Sequence, residues 1–438
     1  MEDNIYEKKS INRLILIFSV PAILSLIVEI LASVVDTAFA GHLGLISIDA
    51  LTAMGLLTPV LNLFTATQSL FAVSTSIFIA KHLNDRLKRD EYFASGIIMT
   101  VVMSSVLSVM CYLGMNQILH ILNAKGQVYI LAKSYLKVQL ISNVFSSIGY
   151  TLTSAIRSFG YPKIEMLITI LAVCVNIIFN TIFVFKMNLG FVGLALGTLV
   201  SEISCAVYAY LWLKKHCLLS KGLHISMENF KKCTKELSKL GIAQTIIQAA
   251  GGCTGFFVNN SIMIHLGSTY VAIWNVVSNV YTLCLMPIVG ITQAVQTIIA
   301  YFGGQGKDKE KTKTIRSTIF LTVLYGLITT IIIFTFGNQI LSVFIKDAEL
   351  LTVARNVIKI IFISFSLTGI FYTIMTLLEV TEHELKAVIM ILTRQVFLMV
   401  PLVYLLPLIF PSKSLCIFLA VPVADIVALW ISLRLVKK

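Results

Sequence analysis

Charged residues are scarce in this chain: Asp, Glu, Lys and Arg make up only 13% of its 438 residues. Because a soluble protein carries about 25% charged residues, this scarcity excludes an ordinary soluble domain. Hydrophobic residues make up 57% of the chain. Several apolar runs reach the roughly 20 residues that a helix needs to cross a bilayer. The composition therefore predicts an all-α integral membrane protein that crosses the cell membrane several times.

Clustered cysteines and nucleotide-binding or metal-binding motifs are also missing. The eight cysteines are scattered, without a Cys-x-x-Cys pair or a Cys/His cluster, so neither a disulfide framework nor a zinc site is indicated. The stretch Gly303–Lys307 is not a P-loop, because the upstream Gly is missing and Asp308 replaces the required Ser or Thr. No nucleophile elbow or HExxH motif is present. We therefore expect a protein that is not an enzyme or an ATP-driven pump and has no cofactor.

The apolar runs predict twelve transmembrane helices. Their approximate bounds are 11–40, 48–80, 92–115, 127–157, 162–186, 190–213, 236–265, 269–302, 314–336, 350–380, 385–409 and 413–434. The widest polar interval lies near the middle of the chain. We therefore expect an N-terminal six-helix lobe at 1–215, a cytoplasmic linker at 216–235 and a C-terminal six-helix lobe at 236–438.

The distribution of basic residues predicts the orientation in the membrane. Most of the 34 Lys and Arg residues lie in the segments on the same side as Met1. Cytoplasmic segments are enriched in these residues, so we expect both termini in the cytoplasm. The net charge of +13 then reflects topology, and we expect no nucleic-acid partner.

An internal repeat relates the two halves. Asp36–Gly44 matches Asn259–Gly267, and Ser201-Glu202 matches Ala424-Asp425, both at a separation of 223 residues. Six helices per half is an even number, so both copies enter the membrane in the same direction. Halves related in this way leave a central cleft, which is the architecture of an alternating-access transporter.

The first apolar segment contains Glu29 and Asp36, with Pro21 near its start. Seven residues are close to two helical turns, so both acids lie on one helix face. An ionised acid at the bilayer centre costs roughly 2.5–3.5 kcal/mol on insertion scales. Structural acids bonded to a neighbouring helix are one interpretation. Two acids on one face, with Pro21 interrupting the backbone hydrogen bonds as a structural or gating element, favour a functional site.

Helices 5 and 6 contribute polar side chains that are less costly to bury. Asn176 and Asn180 share a face of helix 5, and Thr198 and Glu202 share a face of helix 6. If helices 1, 5 and 6 meet, one small cation can be surrounded by Asp36, Asn176, Asn180 and Thr198. A single carboxylate with neutral oxygens suits a proton or a monovalent ion better than a divalent metal. Hydrogen bonding between helices is the other interpretation of the Asn and Thr residues.

The second half carries a different set of charges. Asn259 stands at the position of Asp36, and Gly252 at that of Glu29. The charges in its apolar segments are Glu379, Arg394 and Asp425. We expect Arg394 and Asp425, on helices 11 and 12, to form a structural ion pair.

Several stretches together resemble the multidrug and toxic compound extrusion (MATE) family. They are SVPAILSLIVEILASVVDTAFAGHLG in helix 1, AIRSFGYPKIEM between helices 4 and 5, NIIFNTIFVF in helix 5, GFVGLALGTLVSE in helix 6 and ILTRQVFLMVPLVYLL in helix 11. The resemblance implies two pseudo-symmetric six-helix lobes and export of organic cations against an inward flow of protons or sodium. It also implies that the family's cation site in the first lobe maps onto Asp36, Asn176, Asn180 and Thr198.

The chain departs from the family pattern at several positions. The family commonly has an acid where Asn180 stands. One branch has acids in the second lobe near Gly252 and Thr368, which are uncharged here, so the chain is more similar to the DinF-like branch. Glu29 and Glu202 replace neutral residues that line the family's cavity. They make the substrate cavity more negative and favour a cationic substrate.

These features favour a secondary antiporter for small organic cations, acting as a monomer in the bilayer and coupled to protons or sodium. One alternative is a lipid-linked oligosaccharide flippase of the same superfamily. Such proteins typically have fourteen helices and basic cavities, so twelve helices and an acidic cavity argue against it. The other alternative is a non-transporting membrane receptor, which needs neither the repeat nor acids along one helix face.

Overall fold

The computed structural model describes residues 5–122, 124–216, 218, 226–342, 344–345, 348–381, 383–410 and 414–437. The part of the chain that it describes is helical and contains no strand. Twelve long helices follow one another, and some contain a break or a π-helical turn. In chain order they are α1 (Ile11–Gly41), α2 (Ser47–Lys81), α3 (Arg86–Leu113), α4 (Gly126–Ser158), α5 (Pro162–Thr181, then a π-helical turn Ile182–Lys186), α6 (Gly190–Lys215), α7 (Met227–Leu266), α8 (Ser268–Gly304), α9 (Asp308–Ser342), α10 (Ala348–Phe362 and Phe365–Val380), α11 (Glu384–Leu392, a π-helical stretch Thr393–Met399, and Val400–Ile409) and α12 (Ala420–Lys437).

Most of these helices are long and apolar enough to span a bilayer. Nine within the described ranges pass by length and composition, and α10, bent by 42° between its two parts, makes a tenth. The two others, α4 and α7, are more polar. The polar side chains of α4 that are buried include Asn143, Ser147 and Thr151, so its polarity serves contacts inside the protein. The predicted fold class, an all-α membrane protein with two sets of six helices, is confirmed.

Several helices begin earlier than the apolar runs predict. The structure starts α3 at Arg86 and α9 at Asp308, where the sequence predicts starts near 92 and 314. The extra turns are charged, and Asp85 caps α3 by accepting a hydrogen bond from the backbone nitrogen of Lys88 at 3.3 Å. Hydropathy does not detect such turns, because they extend each helix beyond its apolar part.

The helix α7 begins at Met227, inside the interval 216–235 that the sequence predicts as a linker. Residues 219–225 of that interval lie outside the described residues. The first part of α7 is anchored on α2 and α3. Asn229 donates a hydrogen bond to Glu91 at 2.7 Å, and a Cβ added at Gly241 would lie 2.2 Å from the backbone oxygen of Leu70. Only a glycine permits that close approach.

The chain packs into two compact units, which we call unit 1 and unit 2. Unit 1 comprises residues 1–9 and 20–245, and unit 2 comprises residues 10–19 and 246–438. The division therefore falls inside α1 and inside α7, the two helices that are equivalent in the repeat. In α1 it falls between Ser19 and Val20, next to Pro21. The helix continues through Pro21, although proline cannot donate the backbone hydrogen bond of that turn.

Unit 1 is built around α4, which packs against α2, α3, α5 and α6. Polar contacts join these helices in the interior: Asn143 of α4 donates to the Ser108 hydroxyl of α3 at 3.0 Å. The hydroxyls of Thr100 and Thr151 lie 3.1 Å apart. The helix α4 thus occupies the centre of the unit, with α5 and α6 packed against it.

Unit 2 contains the ion pair expected from the sequence. The Arg394 Nε donates to Asp425 Oδ1 at 2.7 Å; the Asp425 side chain is buried and that of Arg394 is 12% exposed. The other carboxylate oxygen accepts from the Ser364 hydroxyl at 2.6 Å. Ser364 lies at the bend between the two parts of α10, so the pair joins α11 and α12 to that bend. Glu379, the third predicted charge, accepts from Gln296 at 2.8 Å.

Candidate functional site

Asp36 of α1 and Asn180 of α5 are in direct contact inside unit 1. The Asn180 Nδ2 donates to Asp36 Oδ1 at 2.7 Å and to Asn176 Oδ1 at 3.0 Å. Asn180 is fully buried and Asn176 is 6% exposed, whereas Asp36 is half-buried. A hydrogen bond to a carboxylate in such a place is stronger than one between neutral groups. The amide therefore compensates part of the Asp36 charge.

The polar contacts continue to α6. The Asn176 Nδ2 donates to the Thr198 hydroxyl oxygen at 3.4 Å, and that hydroxyl donates to the backbone oxygen of Leu194 at 3.1 Å. The structure thus brings together all four side chains predicted as the cation-coupling site. Every donor in this chain of contacts has a partner. An oxygen, Asn180 Oδ1, has no hydrogen-bond partner among the described residues, which costs about 1–3 kcal/mol for a buried group.

Gly197 explains where this oxygen points. The spacing Gly193-x-x-x-Gly197 predicts close helix packing, and α6 does approach α5 closely at both glycines. A Cβ added at Gly197 would lie 2.0 Å from Asn180 Oδ1 and 2.9 Å from its Cγ. At Gly193 the nearest atom would be the backbone carbon of Phe183 at 3.0 Å. Gly197 therefore lies directly against the amide of the site, a role that spacing alone does not reveal.

Tyr135 of α4 is a further neighbour of Asp36 that the sequence reading misses. Its hydroxyl lies within electrostatic range of the Asp36 carboxylate and accepts a hydrogen bond from Gln139 at 2.9 Å. Its ring stacks on Phe191 of α6, with ring centroids 4.6 Å apart. A tyrosine in an apolar helix carries no sequence signal of its own. Only the packing of α4 against α6 brings it to the site.

Glu29 and Glu202, predicted to line the substrate cavity, lie within electrostatic range of each other in unit 1. The Ser146 hydroxyl lies close to the Glu202 carboxylate. Two more charges are within range of Glu29, those of Glu165 and Arg157, but these two form a buried ion pair at 2.9 Å. That pair is neutral as a whole. The carboxylates of Glu29 and Glu202 therefore make this region of unit 1 negative.

Glu29 is exposed and Glu202 is half-buried. An ionised carboxylate is costly in a membrane-spanning helix, because lipid does not solvate ions. The two acids therefore need compensation from polar groups or from a cation.

Three of the four equivalent positions in the second half are apolar. The repeat places Asn259, Met399, Val403 and Val421 at the positions of Asp36, Asn176, Asn180 and Thr198. The last three are buried in the hydrophobic core of unit 2. Among these four positions Asn259 is the one with a polar side chain, and none carries a carboxylate, so the halves share a fold and differ in the chemistry of this place.

Comparison with known proteins agrees with this fold. The family model MatE matches residues 21–182 and 246–405, one copy in each half. The multidrug export protein MepA of Staphylococcus saprophyticus is 25% identical over 405 residues, which cover 92% of this chain and 88% of that protein. MepA of Staphylococcus aureus is 24% identical over 408 residues, covering 92% and 89%.

Solved structures show the same architecture. A crystal structure of a MATE protein in complex with MaL6 superposes with a TM-score of 0.89 at 19% identity, covering 98% of this chain and 96% of that one. A mutant of the Vibrio cholerae MATE transporter VcmN gives a TM-score of 0.90 at 16% identity, with coverages of 97% and 95%. Both halves thus match one family in sequence, and the whole chain matches its fold: the protein belongs to the MATE family of membrane transporters.

Proposed function

We propose that the protein is a secondary active multidrug antiporter, which exports organic cations in exchange for protons or sodium by alternating access. The observation that carries this proposal is the contact between Asp36 and Asn180, with Asn176 and Thr198 behind it. The multidrug export relatives support the substrate class. The negative region around Glu29 and Glu202 supports cationic substrates over the anionic phosphates of a lipid-linked sugar.

The chemistry of the site suits a single positive charge. Asp36 is its only carboxylate, and the other oxygens come from two amides and a hydroxyl. In the structure the Asn180 amide turns its N–H toward Asp36 and its oxygen toward Gly197. This orientation stabilises an ionised Asp36 that binds no cation. A proton or cation that binds to Asp36 neutralises its negative charge in place of the Asn180 amide. Asn180 can then rotate, so that its oxygen, which has no hydrogen-bond partner, contacts the bound cation.

Coupling then resides in unit 1. The equivalent place in unit 2 offers Asn259 and three buried apolar side chains, which provide no group that changes charge. One ion bound in unit 1 for each substrate exported is the simplest stoichiometry for this arrangement. With a monovalent cation as substrate, that exchange is electroneutral and is driven by the chemical gradient of the ion alone.

Reconstituted protein tests the proposal. Proteoliposomes are loaded with a fluorescent cationic dye, and a pH gradient and a sodium gradient are imposed separately across the membrane. We expect one of the two gradients to drive dye transport, and its dissipation with an ionophore to stop it. Equal transport rates with and without either gradient would show that the protein is not an ion-coupled antiporter.

Replacing Glu29 or Glu202 by Gln is expected to weaken the binding of a cationic dye about tenfold. A carboxylate about 4 Å from a cation attracts it by roughly 4 kcal/mol at an effective dielectric of 20, and desolvation reduces this to about 1.4 kcal/mol, or tenfold in affinity. The measurement is the dye concentration that gives half-maximal transport. A neutral substrate is the control and should keep its value. Unchanged affinity for the cation in both variants would remove these acids from substrate selection.

A further inference from the structure

The first turns of α9 carry basic side chains that no other described part of the protein neutralises. Lys309, Lys313 and Arg316 are exposed and form no ion pair or hydrogen bond with any described residue. With Asp308 and Thr312, which belong to the same helix, they line an open cavity of about 510 Å³ on the surface of α9. Asp308 offsets one of these three positive charges, and the neighbouring Glu310 is matched in number by Lys311, so the first turns of α9 keep a positive excess.

The repeat provides an internal comparison. In the first half, the corresponding turn and helix start also carry three basic residues, Arg86, Lys88 and Arg89. Each of these is paired: Arg86 with Asp90 at 3.9 Å, Lys88 with Asp85 at 3.5 Å and Arg89 with Asp90 at 2.7 Å. The same place in the fold is therefore neutralised internally in unit 1 and left positive in unit 2.

The position of the three basic residues along α9 points to what neutralises them. They follow one another at spacings of four and three residues, which places them on one helix face. The same face continues with exposed apolar side chains: Phe320 is 70% exposed, Leu324 42%, Leu327 48% and Ile331 64%. A continuous exposed apolar stripe on a membrane-spanning helix is the part that contacts lipid chains.

The dimensions fit a phospholipid that lies along this face. Arg316 and Lys313 precede Phe320 by four and seven residues, which is about 6 and 10 Å at 1.5 Å per residue. The headgroup layer extends roughly 5–8 Å outward from the hydrocarbon, since the bilayer is roughly 40–45 Å thick around a core of 30 Å. Measured from Phe320, Arg316 therefore falls within this layer and Lys313 at its outer edge. The cavity thus lies at headgroup depth while the apolar stripe lies beside the acyl chains.

We propose that the cavity at the start of α9 binds the headgroup of an acidic phospholipid, whose phosphate supplies the counter-charge that Asp85 and Asp90 supply in the first half. The basic side chains hold the phosphate oxygens, and the Thr312 hydroxyl donates to the same headgroup. The charge distribution of the chain predicts the cytoplasmic side for this end of α9, and there an anionic membrane surface attracts basic segments. The proposal is independent of which ion drives transport.

Native mass spectrometry of the full-length protein tests this site. The protein is titrated with phosphatidylglycerol or with phosphatidylcholine, and the bound lipids are counted. The variant replaces Lys309, Lys313 and Arg316 by Gln. The control removes an equal charge at the start of α7, where Lys231, Lys232 and Lys235 are also exposed. Each basic residue near an anionic surface contributes about fivefold to binding, so we expect the variant to lose at least about tenfold in apparent affinity for phosphatidylglycerol.

The control should keep the preference for phosphatidylglycerol, and Lys309→Arg with Lys313→Arg should keep it as well, which shows that charge rather than folding is measured. Undiminished binding by the Gln variant would overturn the proposal. An equal loss in variant and control would also overturn it, because the attraction would then not be local to α9. Inorganic phosphate that displaces the lipid at equal concentration would show a simple anion site and contradict the choice of a lipid.

Discussion

Asp36→Asn is expected to abolish gradient-driven export while leaving the protein folded. Asparagine is nearly isosteric with aspartate, so the contact with Asn180 on α5 remains possible, but the side chain no longer binds a proton or balances a cation. With one ion exchanged per substrate, a hundredfold ion gradient sustains at most about a hundredfold substrate gradient, because each factor of ten corresponds to 1.4 kcal/mol. In the variant this ratio should fall to about one.

The measurement is the steady-state ratio of substrate across proteoliposome membranes at a fixed ion gradient. Asn259→Ala is the matched control, because Asn259 occupies the equivalent position in unit 2 and cannot titrate. It should reduce the ratio far less than Asp36→Asn does. If Asn259→Ala had the larger effect, the coupling site would lie in unit 2. If Asp36→Asn, expressed at the normal level, accumulated substrate as the wild type does, Asp36 would not be the coupling residue.

Gly197→Ala is expected to disable the same site from a position that carries no functional group. The added Cβ would lie 2.0 Å from Asn180 Oδ1 and 3.0 Å from the Asn180 backbone nitrogen. The amide must therefore leave its place between Asp36 and Asn176. We expect transport to fall by about tenfold or more, since the lost hydrogen bond to a charged group contributes about 1.5–3 kcal/mol.

Gly193→Ala separates this effect from general helix packing. It crowds the same α5–α6 interface but meets the backbone of Phe183 at 3.0 Å, away from the site. The readout is the ion concentration that half-maximally activates transport, together with the thermal midpoint of the purified protein. Gly197→Ala should shift the activation by ions, whereas Gly193→Ala should change only the midpoint. If both variants changed only the thermal midpoint of the protein, Gly197 would serve helix packing alone and would have no role in the site.

Much of the fold follows from sequence periodicity and charge. Apolar runs long enough for a bilayer predict the helices, and the separation of 223 residues between Asp36–Gly44 and Asn259–Gly267 predicts two similar halves. The early starts of α3, α7 and α9 are missed. These turns are charged, and their helicity depends on caps such as Asp85 and on contacts such as that of Asn229 with Glu91. Hydropathy is insensitive to both.

The sequence likewise predicts one part of the candidate site and misses another. Spacing along one helix is enough to place Asn176 beside Asn180, and the cost of a charge in the membrane is enough to single out Asp36. The partner of Asp425 is also expected, because a buried acid and a buried arginine on adjacent helices need each other. What spacing cannot say is which faces of different helices meet. Tyr135 is missed for that reason.

By itself, the sequence determined that this chain is a helical membrane protein with two related halves, and that the first half carries two acids, Glu29 and Asp36, on one face of its first helix. These properties depend on composition and on periodicity within single helices, which a chain carries before it folds. Only the tertiary structure decided that Asn180 donates to Asp36, that Gly197 lies against the Asn180 oxygen, and that Lys309, Lys313 and Arg316 form no ion pair with the described residues. Those facts depend on distances between separate helices, and helix–helix distances are set by side-chain packing over the whole unit.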